Sequence, residues 1–166
     1  MPHGRLIIQA VVAFLVLPGL FAFLAPLIIG YTDSWGAPFF TPGLVVVGAG
    51  VMFLLWCVRD FYVVGKGTLA PWHPPKDLVR VGFYRFVRNP MYLSLFVIVF
   101  GWGMFFWSPV LIGYDIVLLT VFHIRVVRVE EPRLSGLFAE SWETYKKNVP
   151  RWIPRRTAWN MNHNDS

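Results

Sequence analysis

The chain has 166 residues, of which 56% are apolar and only 14% are charged, and its net charge is +6. Soluble domains carry about 25% charged residues, so a soluble globular class is excluded and we predict an all-α integral membrane protein in a lipid bilayer. Cys57 is the single cysteine, which excludes a disulfide framework and a cysteine-based metal cluster. In a soluble chain the positive charge would suggest nucleic acid, but in a membrane protein it reports orientation, so no nucleic-acid partner is predicted.

The first apolar run extends from Leu6 to Gly30 and is interrupted by Pro18 and Pro26. A bilayer core needs about 20 apolar residues as helix, so one kinked span fits this run. A cleaved signal peptide is the alternative, because Arg5 precedes the run. We favour a retained span, since the run is long for a signal sequence and lacks a clear small-residue cleavage site.

Three further spans are predicted, from Gly43 to about Val64, from Pro90 to about Trp107, and from Val110 to about Ile124. Glycines 43, 48 and 50 in the second span would allow close helix contact. A short Ser-Pro break separates the last two spans, so we expect an antiparallel helical hairpin. The chain is therefore predicted to have about four transmembrane helices.

If Arg59, near the end of the second span, is counted as interfacial, all 15 lysines and arginines precede the first span, lie between the second and third, or follow the fourth. With four spans these three regions share one side, which the positive-inside rule makes cytoplasmic. We therefore predict cytoplasmic N- and C-termini, in a bacterial-type inner membrane or an endoplasmic reticulum-like membrane. The two polar segments then meet on one face, where a site could be assembled.

Beyond the fourth span, apolar residues recur every three or four positions from Leu134 to Val149. This period predicts an amphipathic helix that lies along the interface or packs on the basic loop. The tail from Ala158, rich in Asn, His and Ser, is predicted to be disordered. We divide the chain into two N-terminal helices (1–64), a core (65–156) and a disordered tail (157–166).

A polar stretch, GFYRFVRNPMY at residues 82–92, leads directly into the third span. Asn89 is a favoured helix N-cap and Pro90 a favoured first helical residue. The N–H groups at a helix N-terminus suit an anion, and Arg85 and Arg88 add positive charge, although both could simply be positive-inside charges. We predict that a charged small molecule binds here, at the membrane surface.

Two adjacent acids, Glu130 and Glu131, follow the fourth span. They could pair with Arg125 and Arg128 at a helix end. Alternatively, one carboxylate could face a cationic ligand, with tyrosines at 84 and 92 adding cation–π attraction, although interfacial anchoring is the other role open to each tyrosine.

Asp115 is a charged residue at membrane depth, which makes it a functional candidate. Its alternative is a hydrogen-bonded pair with the neighbouring Tyr114 near the outer interface. His73 and His123 lack metal-ligand spacing, so no metal site is predicted.

Two motifs in order carry a family resemblance. Residues 81–93 (VGFYRFVRNPMYL) resemble the G-x-Y-x-x-x-R-[HN]-P-x-Y motif of the isoprenylcysteine carboxyl methyltransferases, and phospholipid methyltransferases share the N-P-M-Y core. Residues 130–134 (EEPRL), Phe138 and residues 145–150 (YKKNVP) resemble the second signature, E-E-x-x-L followed by F-G-x-x-Y-x-x-Y-x-x-x-V-P. The likeness covers about residues 76–154. This chain departs from the common residues His, Gly, Gly and Tyr at Asn89, Ser94, Ala139 and Trp142.

The resemblance implies S-adenosyl-L-methionine as cofactor, in a cytoplasm-facing pocket. The implied cofactor contacts are Lys76, Asp77, Leu78, Val79, Tyr84, Asn89, Pro90, Met91, Tyr92 and Glu130, to which we add Arg88 for the cofactor carboxylate. The resemblance also implies a substrate-facing arginine at the cytoplasmic end of the fourth span. The expected position falls on Val126, and Arg125 is the nearest arginine. Arg125 and Glu131 are our candidate catalytic residues. If the acceptor is an amine, Glu130 or Glu131 could act as the base.

The leading hypothesis is methyl transfer from S-adenosylmethionine to a hydrophobic, lipid-like acceptor at the cytoplasmic membrane face, most simply an isoprenylcysteine-type carboxylate. Such an acceptor needs alignment and the removal of water but no base. A phospholipid amine or a small thiol is the alternative within this class. The other classes are a sterol reductase-like NADPH enzyme, whose known chains are much longer, and a non-catalytic membrane protein.

Overall fold

The computed structural model describes residues 19–36, 39–65 and 77–160, and all regular structure within them is helical. A π-turn (Leu20–Leu24) leads into α1 (Ala25–Thr32), and α2 (Pro42–Gly65) follows. A 3₁₀ turn (Gly82–Arg85) precedes α3 (Pro90–Phe105) and α4 (Pro109–Arg125). A second π-turn (Val126–Glu130) joins α4 to α5 (Glu131–Asn148). The all-α prediction is confirmed for these residues, while positions 6–18 of the predicted first span lie outside them.

Among the described residues, two helical stretches are long and apolar enough to cross a membrane: α2, and the continuous stretch Pro109–Asn148 that contains α4 and α5. The segments Leu20–Thr32 and Pro90–Phe105 are apolar but shorter. With 16 residues, α3 is about 24 Å long, against about 30 Å for a hydrocarbon core. The second predicted span therefore reaches full length, the fourth does so only together with α5, and the total of four stays a prediction.

The outer faces of α2 and α4 expose large apolar side chains. They include Leu44, Val45, Met52, Leu55 and Val63 on α2, and Val110, Ile116, Val117, Leu119, Val121 and Ile124 on α4. Soluble monomers rarely expose continuous apolar surface on this scale. These two faces are therefore suited to contact with lipid chains.

Helices α2 and α3 pack closely because glycines line their crossing. A Cβ atom on Gly43 would lie 2.6 Å from the carbonyl oxygen of Gly101, and one on Gly101 would lie 2.7 Å from the backbone nitrogen of Val47. The predicted close contact is confirmed at Gly43 and also holds at Gly50, which faces Ile98. It is wrong for Gly48, which has nothing within 4 Å because it lies on the outer face.

Helices α3 and α4 form the predicted antiparallel hairpin, because the chain reverses within residues 106–108. Ser108 caps α4, since its hydroxyl oxygen accepts a hydrogen bond from the N–H of Leu111 at 3.1 Å. This cap supplies one of the acceptors that the first turn of a helix lacks.

The amphipathic helix exists as α5, but it continues from α4 through the π-turn instead of forming a separate element. Its buried face belongs to a cluster that we call the C-terminal cluster, formed by Trp142, Tyr145, Val149 and Trp159 with Leu78, Leu134 and Phe138 packed against it. Of the two placements considered, α5 therefore packs on the loop that carries Leu78.

The predicted disordered tail is wrong for residues 157–160. Trp159 is buried in the C-terminal cluster, and its N–H donates to the carbonyl oxygen of Arg85 at 3.0 Å. A large aromatic side chain gains several kcal/mol from such burial, which outweighs the polar composition around it. Residues 161–166 lie outside the described part.

Ala139 interrupts α5 with φ 42° and ψ −114°, a conformation that L-residues with a Cβ atom adopt at a cost of about 1–2 kcal/mol. We therefore expect Ala139→Gly to raise the free energy of unfolding by about 1 kcal/mol. Thermal unfolding in detergent would measure the change. Glu140→Gly, at the next position in regular helix, should lower stability by about 1 kcal/mol, and a loss of stability in both variants would contradict the prediction.

Candidate functional site

The loop that precedes α3 directs Tyr84 inward. Gly82 has a φ of 54°, and a Cβ atom there would overlap a carboxylate oxygen of Asp60 on α2, so only glycine fits at this turn. The following 3₁₀ turn buries Tyr84 against Cys57 and Val79. Burial raises the pKa of Tyr84 well above its usual value, so its phenol stays neutral.

Asn89 and Pro90 begin α3 as predicted, with Pro90 as the first helical residue. The side chain of Asn89 does not cap the helix, which corrects the expectation from its residue type. Its amide instead donates to the carbonyl oxygen of Arg151 at 3.2 Å, because the C-terminal segment passes beside it. The first turn of α3 is therefore left without a side-chain cap from Asn89.

Glu131 is held by two arginines. One of its oxygens accepts from Nη1 of Arg88 at 2.9 Å and from Nε of Arg151 at 2.7 Å, and its second oxygen accepts from Nη2 of Arg151 at 2.8 Å. The side chains of Arg88 and Glu131 are only 8% and 12% exposed. The guanidinium of Arg88 also lies 5.6 Å from the centre of the Trp142 ring. This group, which we call the Glu131 clamp, joins the two sequence motifs to Arg151.

The clamp bears on the predicted role of Glu131 as a base. Hydrogen bonds from two guanidinium groups favour an ionised carboxylate and make it a weak proton acceptor. The bond to Glu131 likewise raises the pKa of Arg151. This geometry favours a positioning role for Glu131.

Glu130 lies in a second group, with residues of α3 and α4. Its Oε1 accepts a hydrogen bond from the hydroxyl of Tyr92 and another from Nε of Arg125 at 2.9 Å. Arg125 and Glu130 remain partly exposed, at 44% and 29% of their side chains. We call this group the Tyr92–Glu130–Arg125 triad.

The π-turn explains why Arg125, and not Val126, lies beside Glu130. In an α-helix, residues five positions apart point about 140° away from each other. In the π-turn the N–H of Glu131 bonds to the carbonyl of Val126, and this wider turn brings Arg125 next to Glu130. Val126 is 1% exposed and lies in the interior. Single π-turns in helices are frequent at functional sites.

The remaining predicted site residues are spread around the motif loop, which we define as residues 82–89. Leu78 packs in the C-terminal cluster, and Val79 and Met91 pack with Tyr84. Asp77 is exposed, and Lys76 lies outside the described residues. Arg85 does not point at the start of α3, because its Nε donates to the carbonyl oxygen of Trp159 at 3.0 Å.

Arg151 and Trp152 are not among the site residues predicted from the sequence. Arg151 belongs to the Glu131 clamp, and the indole N–H of Trp152 donates to Nδ1 of His123 at 2.9 Å. The ring of Trp152 also lies against Tyr92 and Phe96. Arg151 directly follows Val149-Pro150, the end of the second motif, and this position is the sequence signal that could have marked it as a site residue.

Several buried polar atoms around the motif loop have no hydrogen-bond partner among the described residues. They are Oδ2 of Asp60, Nη1 of Arg80, the hydroxyl of Tyr84 and Nε of Arg88. Buried polar groups are almost always paired, so a concentration of unpaired groups indicates a place where a polar ligand would supply partners.

Asp115 in α4 does not form the predicted hydrogen-bonded pair with Tyr114. Its Oδ1 has no hydrogen-bond partner among the described residues, and the hydroxyl of Tyr114 donates to the carbonyl oxygen of Phe21 instead.

Within the described ranges, no group of three or more His, Cys, Asp and Glu side chains is placed to hold a metal ion.

Comparisons with known proteins agree with the two motifs. The model of the phospholipid methyltransferase family matches residues 39–141. A protein-S-isoprenylcysteine O-methyltransferase of Schizosaccharomyces pombe is 38% identical over 80 residues, which are 46% of this chain and 33% of that protein. A methanethiol S-methyltransferase of Crocosphaera subtropica is 30% identical over 86 residues, or 49% of this chain and 31% of that protein.

The nickel-cobalt-cadmium resistance protein NccN of Alcaligenes xylosoxydans xylosoxydans is 29% identical over 126 residues, or 75% of this chain and 54% of that protein. The chain thus matches about a third to a half of the length of these relatives, and no solved structure matches it significantly. The family model covers more than half of the chain, including the first motif, α3, α4 and the two acids. The chain therefore belongs to the phospholipid methyltransferase family of membrane proteins.

Proposed function

We propose that the chain is an S-adenosylmethionine-dependent methyltransferase that acts on a lipid-like acceptor, most simply an isoprenylcysteine-type carboxylate. The observation that carries the proposal is the Tyr92–Glu130–Arg125 triad, in which a hydrogen bond joins the first motif to the second beside an exposed arginine.

The residues around the motif loop fit the proposed cofactor. When bound, S-adenosylmethionine supplies an electrophilic methyl group on a sulfonium. Its carboxylate suits the uncapped first turn of α3 together with the unpaired nitrogens of Arg80 and Arg88. Its cationic groups suit the carboxylate of Glu130 and the faces of Tyr84 and Tyr92. Leu78, Val79 and Met91 would add apolar contacts, and the exposed Asp77 would lie at the edge.

The charges at the site favour an acceptor that needs no base. Glu131 is engaged by two arginines, and Oε1 of Glu130 already accepts two hydrogen bonds. An amine acceptor must lose a proton, whereas a carboxylate needs only to be aligned and freed of water. The relatives named for O- and S-methylation are consistent with a carboxylate or a thiolate. A phospholipid amine is therefore the less favoured acceptor.

The proposed arrangement places the site at the cytoplasmic face, with both termini on that side. The support is the charge distribution, since all lysines and arginines except Arg59, which lies near the end of α2, are in segments that four spans would place together. The exposed apolar faces of α2 and α4 would meet lipid, from which a hydrophobic acceptor could approach Arg125.

Calorimetric titration of the detergent-purified chain with S-adenosylmethionine and, separately, with NADPH tests the cofactor. We expect binding of the former alone. Binding of NADPH alone would indicate a reductase, and binding of neither would indicate a non-catalytic protein. Transfer of a radiolabelled methyl group to a farnesylcysteine analogue, methanethiol or phosphatidylethanolamine would then identify the acceptor.

Arg125→Ala should reduce methyl transfer at least tenfold while changing the Kd of S-adenosylmethionine less than twofold. The reason is that this partly exposed guanidinium would contact the acceptor, whereas the cofactor carboxylate would lie at the start of α3. Arg128→Ala, three residues along the same helical stretch and exposed, is the matched control and should retain activity. Equal activity of both variants would remove Arg125 from the site.

A further inference from the structure

A C-terminal strap, residues 149–160, runs antiparallel to the motif loop. The N–H of Arg88 donates to the carbonyl of Pro150 at 2.9 Å, and the N–H of Arg155 donates to the carbonyl of Phe86 at 3.0 Å. The N–H of Trp159 then donates to the carbonyl of Arg85 at 3.0 Å. Three backbone hydrogen bonds therefore join the strap to the loop that carries the first motif.

Side chains add to this pairing. Nε of Arg85 donates to the carbonyl of Trp159 at 3.0 Å, so Arg85 and Trp159 exchange two hydrogen bonds. The amide of Asn89 donates to the carbonyl of Arg151 at 3.2 Å. Arg85 and Asn89, which the sequence placed at an anion site, are thus used to hold the strap.

Trp159 is the buried end of the strap, with 8% of its surface exposed. The centre of its ring lies 5.8 Å from that of Tyr145, which is 2% exposed. The hydroxyl of Tyr145 donates to the carbonyl of Tyr84 at 2.7 Å. The ring of Tyr145 also contacts Trp142, whose face lies against the guanidinium of Arg88. Trp159 therefore supports, through Tyr145 and Trp142, the backbone of Tyr84 and the side chain of Arg88 in this loop.

We propose that Trp159 is a positioning residue that holds the motif loop in the conformation that binds the cofactor. Where it concerns the cofactor, this inference rests on the proposed function. The loop contains one short 3₁₀ turn and a glycine with positive φ, and such a segment loses conformational entropy when it is ordered. An ordered binding loop avoids that loss at the moment of binding, which raises affinity.

The test compares Trp159→Ala, Trp159→Phe and Ile153→Ala in the full chain. Ile153 belongs to the same strap but is 80% exposed, so its truncation is the matched control. Hydrogen–deuterium exchange of the peptide that spans residues 82–89 reports on the loop without any ligand. Calorimetry reports the Kd of S-adenosylmethionine, and initial rates at saturating cofactor report kcat.

We expect Trp159→Ala to speed exchange in residues 82–89 at least tenfold and to raise the Kd at least fivefold, with kcat within twofold. Trp159→Phe should keep both the exchange rate and the Kd close to the natural values, and Ile153→Ala should leave both unchanged. Unchanged exchange in Trp159→Ala would overturn the inference, as would faster exchange with an unchanged Kd.

If Trp159→Ala fails to fold, Tyr145→Phe replaces it, because this change removes only the hydrogen bond to the carbonyl of Tyr84. We expect it too to speed exchange in residues 82–89 and to raise the Kd, and unchanged exchange or an unchanged Kd would overturn the inference. Failure of the natural chain to bind S-adenosylmethionine would refute the proposed function, while the exchange measurement would still decide whether Trp159 orders the loop.

Discussion

Glu131→Ala is expected to lower the free energy of unfolding by about 3 kcal/mol, because it leaves the largely buried guanidinium of Arg88 without its counter-charge. Arg151 would lose both of its side-chain hydrogen bonds to Glu131. The link between the start of α5, the motif loop and the strap would be lost with them. Urea unfolding in a mild detergent, followed by tryptophan fluorescence, would measure the change.

The control is Glu143→Ala on the same helix. Glu143 pairs with Lys146 at 3.5 Å with both side chains more than 40% exposed, and exposed pairs contribute at most about 1 kcal/mol. Equal stability losses in the two variants would contradict a clamp role for Glu131. Glu131→Gln distinguishes the positioning role of Glu131 from its predicted role as a base. If methyl transfer persists with an unchanged pH profile, Glu131 does not act as a base.

Gly43→Val should be the most disruptive change in the membrane helices. The added side chain would meet the backbone of Gly101 and Phe105 where α2 crosses α3. Backbone atoms cannot move aside as a flexible side chain can, so the two helices must separate, at a cost of about 3 kcal/mol. Size-exclusion chromatography in detergent and the thermal unfolding temperature would report the loss.

Gly48→Val supplies the matched comparison, since it lies on the same helix with nothing within 4 Å of its added Cβ. It adds the same volume on the outer face and should behave like the natural chain. A normal unfolding temperature for Gly43→Val would show that α2 and α3 do not cross where the glycines meet.

The sequence by itself determined where the helices run and which motifs flank them. The predicted second span, Gly43 to about Val64, differs by one residue at each end from Pro42–Gly65. The third and fourth begin at or beside Pro90 and Pro109. These features are local: an apolar run needs helical hydrogen bonding in lipid, and a proline is tolerated in the first turn of a helix. The two motifs that indicated the family are equally local.

Only the tertiary structure decided the partners of the charged residues. Glu131 accepts hydrogen bonds from Arg151, 20 positions away, and Arg85 donates one to the carbonyl of Trp159, 74 positions away. No rule of sequence spacing predicts such pairs. The tail residue Trp159 is ordered because the fold offers it an apolar surface around Tyr145. The π-turn places Arg125 and not Val126 beside Glu130. The one wider turn at Val126–Glu130 rotates the side chains before it relative to those after it. Tertiary packing, and not the local sequence, selects this register.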